Sequence, residues 1–217
     1  MDVRSAHLVH IQANATKLEG ALEIPEGAGG LVLFAHGSGS SRHSPRNKFV
    51  ASVLREARLG TLLIDLLTRG EDAHYETRFD IDLLTDRLEA ATHWLTERPQ
   101  TKKLLIGYFG ASTGAAAALQ AAASLGDRIR AVVSRGGRPD LAWTALELVQ
   151  APTLLIVGGR DDVVIELNQR AYERLKAEKQ LVIIPGATHL FEEPGALEEV
   201  ARLACEWFKR YLRSKQG

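Results

Sequence analysis

The strongest constraint on the fold is a succession of short apolar runs separated by segments of helical period. The runs are Leu31 to Ala35, Thr61 to Leu67, Leu104 to Phe109, Ile129 to Ser134, Thr153 to Val157 and Leu181 to Ile184. Each is short for a buried helix and too continuously apolar for a strand with one wet face. Strands of a parallel sheet covered by helices on both faces read this way. Between the runs, Ile81, Leu84, Leu88, Ala91 and Leu95 recur on one helical face. Leu197, Val200, Ala201, Ala204, Phe208 and Leu212 do the same after a start marked by Glu192, Glu193 and Pro194. Ahead of all these, His7 to Ile11 and Leu18 to Ile24 alternate like half-buried antiparallel strands. The expectation is an α/β architecture with eight strands and about six helices.

No repeat, low-complexity tract or Pro/Ser-rich linker divides the 217 residues, so one domain spanning 1–217 is expected. Lys plus Arg and Asp plus Glu both number 27, which gives no net field to attract nucleic acid or an anionic membrane. The one cysteine, Cys205, makes no internal disulfide, and no zinc-like Cys/His spacing is present. The opening MDVRSAHLVHIQ lacks the apolar core of a leader, and a cytoplasmic setting is expected. The segment from Leu104 to Gly126 is long and uncharged, but alanine supplies most of its apolarity and Gly, Ser, Thr and Gln interrupt it. It reads as a buried strand followed by a buried helix.

Within that segment lies Gly110-Ala111-Ser112-Thr113-Gly114, a Gly-x-Ser-x-Gly box between the strand and an alanine-rich helix. A serine at such a strand-to-helix turn is forced into strained backbone, and the crowded flanks exclude side chains two positions away on either side. A serine that merely caps the helix is the plainer reading. For nucleophilic work the hydroxyl needs a base, and the base needs an orienting group. In an α/β sheet both should follow later strands. Asp161 and Asp162 lie just past the Thr153 strand, Asp161 coming first, and His189 lies in the loop after the last strand. The order Ser112, Asp161, His189 is the one a hydrolase of this architecture uses. The other histidines fall elsewhere: His7 and His10 in the first strand, His93 in a helix, His43 and His74 in loops. His36 ends a strand as a structural hydrogen bonder.

An oxyanion needs two preorganised N–H donors. Thr113, next to the nucleophile, supplies one, and the loop LFAHGSGSS supplies the other through Ser38, with Gly37 second. A phosphate-binding glycine loop is the rival reading there, but neither characteristic spacing is present. The same loop continues through Arg42 and His43 to Ser44 and Pro45, which look like a helix cap and first residue. Arg46 and Lys48 then sit in a first turn whose dipole disfavours cations, so an internal acid or an anionic ligand should compensate. Arg135 ends the strand after the elbow helix. Arg42, His43, Arg46 and Arg135 are therefore candidate contacts for a carboxylate-bearing substrate, with structural ion pairing as the alternative.

The blocks HGSGSSRHSPRN, GYFGASTGA, VVSRGGRPD, PTLLIVGGRDD and GATHLFEEPG resemble the α/β-hydrolase superfamily, in its branch of small hydrolases similar to dienelactone hydrolase. The resemblance implies an eight-stranded, mostly parallel sheet with the second strand antiparallel and no large lid. It also implies Ser112 as nucleophile, Asp161 as orienting acid and His189 as base. Dienelactone hydrolases proper carry cysteine at the elbow; serine here shifts the expectation from enol-lactones to ordinary esters. The resulting expectation is a serine hydrolase of carboxylic esters or lactones that needs no metal or organic cofactor. Acyl transfer or perhydrolysis by the same triad, and a binding module that keeps the fold, are the alternatives.

Overall fold

The computed structural model describes residues 7–213. Residues 1–6, part of the stretch read for a leader, lie outside the described residues, as do 214–217. The strands are β1 (His7–Ala13), β2 (Thr16–Glu23), β3 (Gly30–Ala35), β4 (Gly60–Ile64), β5 (Leu105–Ala111), β6 (Ile129–Arg135), β7 (Thr153–Gly158) and β8 (Lys179–Ile184). They form one eight-stranded sheet in the order β1-β2-β4-β3-β5-β6-β7-β8. β2 is antiparallel to both its neighbours, and from β4 through β8 every pairing is parallel. This is the α/β-hydrolase fold, with the antiparallel second strand that the resemblance implied.

The helices are α1 (Pro45–Glu56), α2 (Arg69–Asp72), α3 (Ile81–Glu97), α4 (Thr113–Leu125), α5 (Asp162–Arg174) and α6 (Ala196–Tyr211). One face of the sheet packs against α3 and α4, the other against α1 and α6. The period-3.6 residues of α3 are buried as expected, Leu88, Ala91 and Leu95 completely. Ser44 caps α1 by accepting from Asn47 N–H at 3.3 Å, with Pro45 as first residue. The α4 alanines 115–118 are fully buried, because side chains this small bring the helix axis close to the strands. Among the described residues no helix is long and apolar enough to cross a membrane.

Two expected boundaries shift for physical reasons. The run from Thr61 leaves the sheet at Asp65, because Leu66 N–H bonds to His36 Nε2 at 3.0 Å instead of to a neighbouring strand. The last helix starts at Ala196, past Pro194. Gly195, left-handed at φ 81°, turns the chain, while the Glu193 carboxylate is engaged by Thr188 N–H.

Candidate active site

Three strand ends and the loops leaving them build the site. At the end of β5, Ser112 adopts φ 51° and ψ −120°, a conformation that costs a non-glycine residue about 1–3 kcal/mol. Its neighbours enforce it. A Cβ at Gly110 would lie 2.4 Å from Ala115 Cα, and one at Gly114 would lie 2.2 Å from Ala35 O. Main-chain bonds hold the strained residue: Ser112 N–H donates to Arg135 O at 3.3 Å, and Ser112 O accepts from Ala115 and Arg138 N–H, each at 3.1 Å. The side chain is half-buried at the N-terminus of α4, where unpaired N–H groups favour negative charge.

The β7 and β8 loops are knitted together by their backbones. Gly159 N–H donates to Ile184 O at 2.8 Å and Arg160 N–H to Ala187 O at 2.9 Å. Asp161 caps α5 and turns its carboxylate to the imidazole, Oδ2 lying 2.6 Å from His189 Nδ1. Asp162 is instead the first residue of α5. On the far side of His189, Phe191 is buried at φ 55°, and Glu193 accepts from Thr188 N–H at 3.0 Å. Bonds to Thr188 hold the Glu193 carboxyl below the usual carboxylate range. Sequence reasoning missed Phe191 and Glu193; the only signal was their spacing from His189.

Arg135 and Gly136 form the corner between Ser112 and the imidazole. The first receives the Ser112 N–H bond; a Cβ on the second would lie 3.4 Å from His189 Cε1 and Nδ1. Ser112 Oγ and the imidazole are not hydrogen-bonded to one another in this structure, whose imidazole bond is the one to Asp161. Such contacts often close only with substrate bound. Val163 and Leu190, next in sequence to Asp162 and to His189, are exposed at 72% and 40%.

The β3 loop passes close over the elbow, since a Cβ at Gly37 would stand 3.0 Å from Ser112 Cβ. Ser38 N–H, the expected second oxyanion donor, donates to Thr113 Oγ1 at 3.0 Å. In this structure the hydroxyl of the residue after Ser112 therefore holds that donor. His36 is buried as a structural hydrogen bonder. Nε2 accepts from Leu66 N–H, so Nδ1 carries the proton and faces Gly37 O at 3.0 Å. Burial pushes its pKa down, against the opposing pull of Gly37 O, Asp65 and Asp72.

The four candidate substrate contacts separate. Arg42 is engaged in ion pairs, the alternative left open by the sequence: its guanidinium bonds Asp65 and lies 2.6 Å from Glu19, while its N–H donates to Asp65 at 2.6 Å. His43 is exposed and lines a cleft of about 470 Å³ with Arg42, Asp65 and Asp72, a cleft whose lining contains none of Ser112, Asp161 and His189. Arg46 pairs with exposed Glu192 at 3.1 Å, supplying the internal acid that its place in α1 calls for. Arg135 is 8% exposed and has no acid partner among the described residues.

Comparison with known proteins agrees with this fold. Residues 72–213 match the dienelactone hydrolase family. A dienelactone hydrolase crystal structure from Anabaena variabilis is 60% identical, with TM-score 0.93, covering 96% of this chain and 98% of that one. A Xanthomonas campestris α/β serine hydrolase without a lid shares the fold at TM-score 0.80 and 23% identity, covering 98% of this chain and 97% of its own. A Mycobacterium tuberculosis protein named as a putative phosphoribosyl transferase is 58% identical over 204 residues, 94% of this chain. That match covers 46% of the relative, so the chain spans about half its length.

Proposed function

The chain belongs to the dienelactone hydrolase family of α/β-hydrolases, and on that footing we propose that it is a serine hydrolase of small carboxylic esters or lactones. One observation carries the reading: His189 is paired to Asp161 at 2.6 Å on the loop that abuts the corner behind a strained Ser112. In this mechanism Asp161 fixes the imidazole with Nδ1 protonated, leaving Nε2 to take the Ser112 proton. Ser112 Oγ attacks the carbonyl carbon, and the oxyanion is held by Thr113 N–H, joined by Ser38 N–H when the Thr113 hydroxyl yields it. His189 then protonates the leaving alcohol, and water activated by the same ring releases the acid from the acyl-enzyme. No metal or organic cofactor is required by this route, which runs within one domain in the cytoplasm.

Serine at the elbow favours esters over the enol-lactones of cysteine enzymes, and the lack of an inserted lid domain among the described residues suits small acyl groups. The phosphoribosyl transferase name belongs to a relative of roughly twice this length, and the activity it describes has no counterpart in the mechanism proposed here. Hydrolysis of p-nitrophenyl esters over a range of acyl lengths tests the proposal. Turnover that is greatest for short acyl groups and drops about 10³-fold or more in Ser112→Ala supports it. Turnover undiminished in that variant contradicts it. Adding competing alcohols to the same assay separates hydrolysis from acyl transfer.

A further inference from the structure

The Arg135 guanidinium lies on the α1/α6 face of the sheet. Side chains alternate along β6, and Ala131 and Val133 pack in the cluster with Val50, Ala51 and Leu54 of α1. Arg135 is two residues beyond Val133, toward the active-site end. Asn47, buried at 2% exposure, is three residues before Val50 on the same helical face. The first turn of α1 therefore covers Arg135. Burial pulls the Arg135 pKa down to about 10, and the repulsion of Arg46 adds to the fall.

Arg135 Nε and Nη1, Arg46 Nε and Asn47 Oδ1 are all shielded and have no hydrogen-bond partner among the described residues. The first turn of α1 contains no acid, and Glu192, the counterion of Arg46, is exposed. A buried guanidinium left uncompensated is strongly destabilising, so the site demands an anion. The shielded groups indicate which one. A carboxylate satisfies the donors of Arg135 and Arg46 but leaves Asn47 Oδ1 without a partner. A phosphate group accepts through its charged oxygens and, singly protonated, donates through P–OH.

We propose that the cluster of Arg135, Arg46 and Asn47 binds a phosphate group, and that this group belongs to the ester substrate. The position fits that use. The Arg135 main chain accepts the Ser112 N–H, and Gly136, the next residue, abuts the His189 ring, so a phosphate here lies beside the reacting carbonyl. The substrate half of the proposal rests on the hydrolase reading; the binding half stands without it.

Isothermal titration of the full chain with inorganic phosphate, and separately with succinate, tests the binding half without turnover, and the Ser112→Ala protein serves equally well. The expected result is saturable phosphate binding, weakened at least tenfold in Arg135→Gln and about threefold or more in Arg46→Gln, with succinate bound less tightly. If Arg135→Gln does not fold, Arg46→Gln decides alone. Failure of phosphate to bind the wild type, binding unchanged in the variants, or succinate binding as tightly as phosphate each overturns the proposal. For the substrate half, kcat/KM for a phosphate-bearing ester over that for its neutral analogue should fall at least tenfold in Arg135→Gln. An unchanged ratio overturns that half. Absence of all ester turnover beside intact phosphate binding marks failure of the hydrolase reading instead.

Discussion

His189 Nδ1 and Asp161 Oδ2 meet at 2.6 Å, although 28 residues separate them in the chain. The contact leaves Nε2 as the free ring nitrogen and gives the adjacent acid, Asp162, no part in orienting it. Asp161→Asn should therefore lower kcat by about 10³–10⁴-fold, the scale of a triad acid made neutral. Asp162→Asn should change kcat less than about threefold and cost about 0.3–1 kcal/mol of stability, through the first turn of α5. Steady-state kinetics of both variants check this, and equal losses would remove Asp161 from its role.

The Thr113 hydroxyl holds Ser38 N–H at 3.0 Å, and in the proposed mechanism the Thr113 N–H faces the developing oxyanion. Without that bond the Ser38 loop loses its anchor over the elbow, so Thr113→Ala should lower kcat about tenfold with KM little changed, whereas Thr113→Ser, which keeps the hydroxyl, should stay near wild type. Equal losses in the two variants would assign the effect to the threonine methyl.

Arg42 joins the β3 loop to β2 and to the end of β4 through Glu19 and Asp65, with its side chain only 16% exposed. Removing it leaves two partly shielded carboxylates, those of Glu19 and Asp65, without their cation. Arg42→Ala should lower stability in urea by about 1–3 kcal/mol and impair acidic and neutral esters alike. Selective loss on acidic esters would restore Arg42 as a substrate contact.

His36 links stability to pH. Its folded pKa lies below the ordinary value of 6.5, so the unfolded chain takes up the proton first as pH falls. The contribution is fully present above 6.5 and is lost progressively below it, toward the folded value. Unfolding free energy measured between about pH 7 and pH 5 should decline, and His36→Gln should flatten the slope in that window. A wild-type curve as flat as that of the variant would refute the link.

Much of this was legible in the sequence because the features concerned are local. Continuous apolar runs give parallel strands, and small residues at 110 and 114 announce the elbow, where the backbones of Ala115 and Ala35 leave no room for a Cβ. The order of Ser112, Asp161 and His189 follows from strand order. Pairings between distant loops were not legible. Nothing near Arg42 in the chain announces Asp65 or Glu19 as its partners, and Arg135 looks like any strand-end arginine until its burial is seen. The Ser38 bond to Thr113 depends on how two loops 75 residues apart settle against each other. The positive φ of Phe191 likewise belongs to no recognisable turn motif.

The central claim is that the Ser112 hydroxyl becomes a nucleophile through His189. Labelling with a fluorophosphonate probe, followed by peptide mass mapping, tests it most directly. The account predicts one phosphonylated site, Ser112, with labelling abolished in Ser112→Ala and slowed at least about 10²-fold in His189→Ala. Labelling at another residue, or at an unchanged rate in His189→Ala, would contradict it.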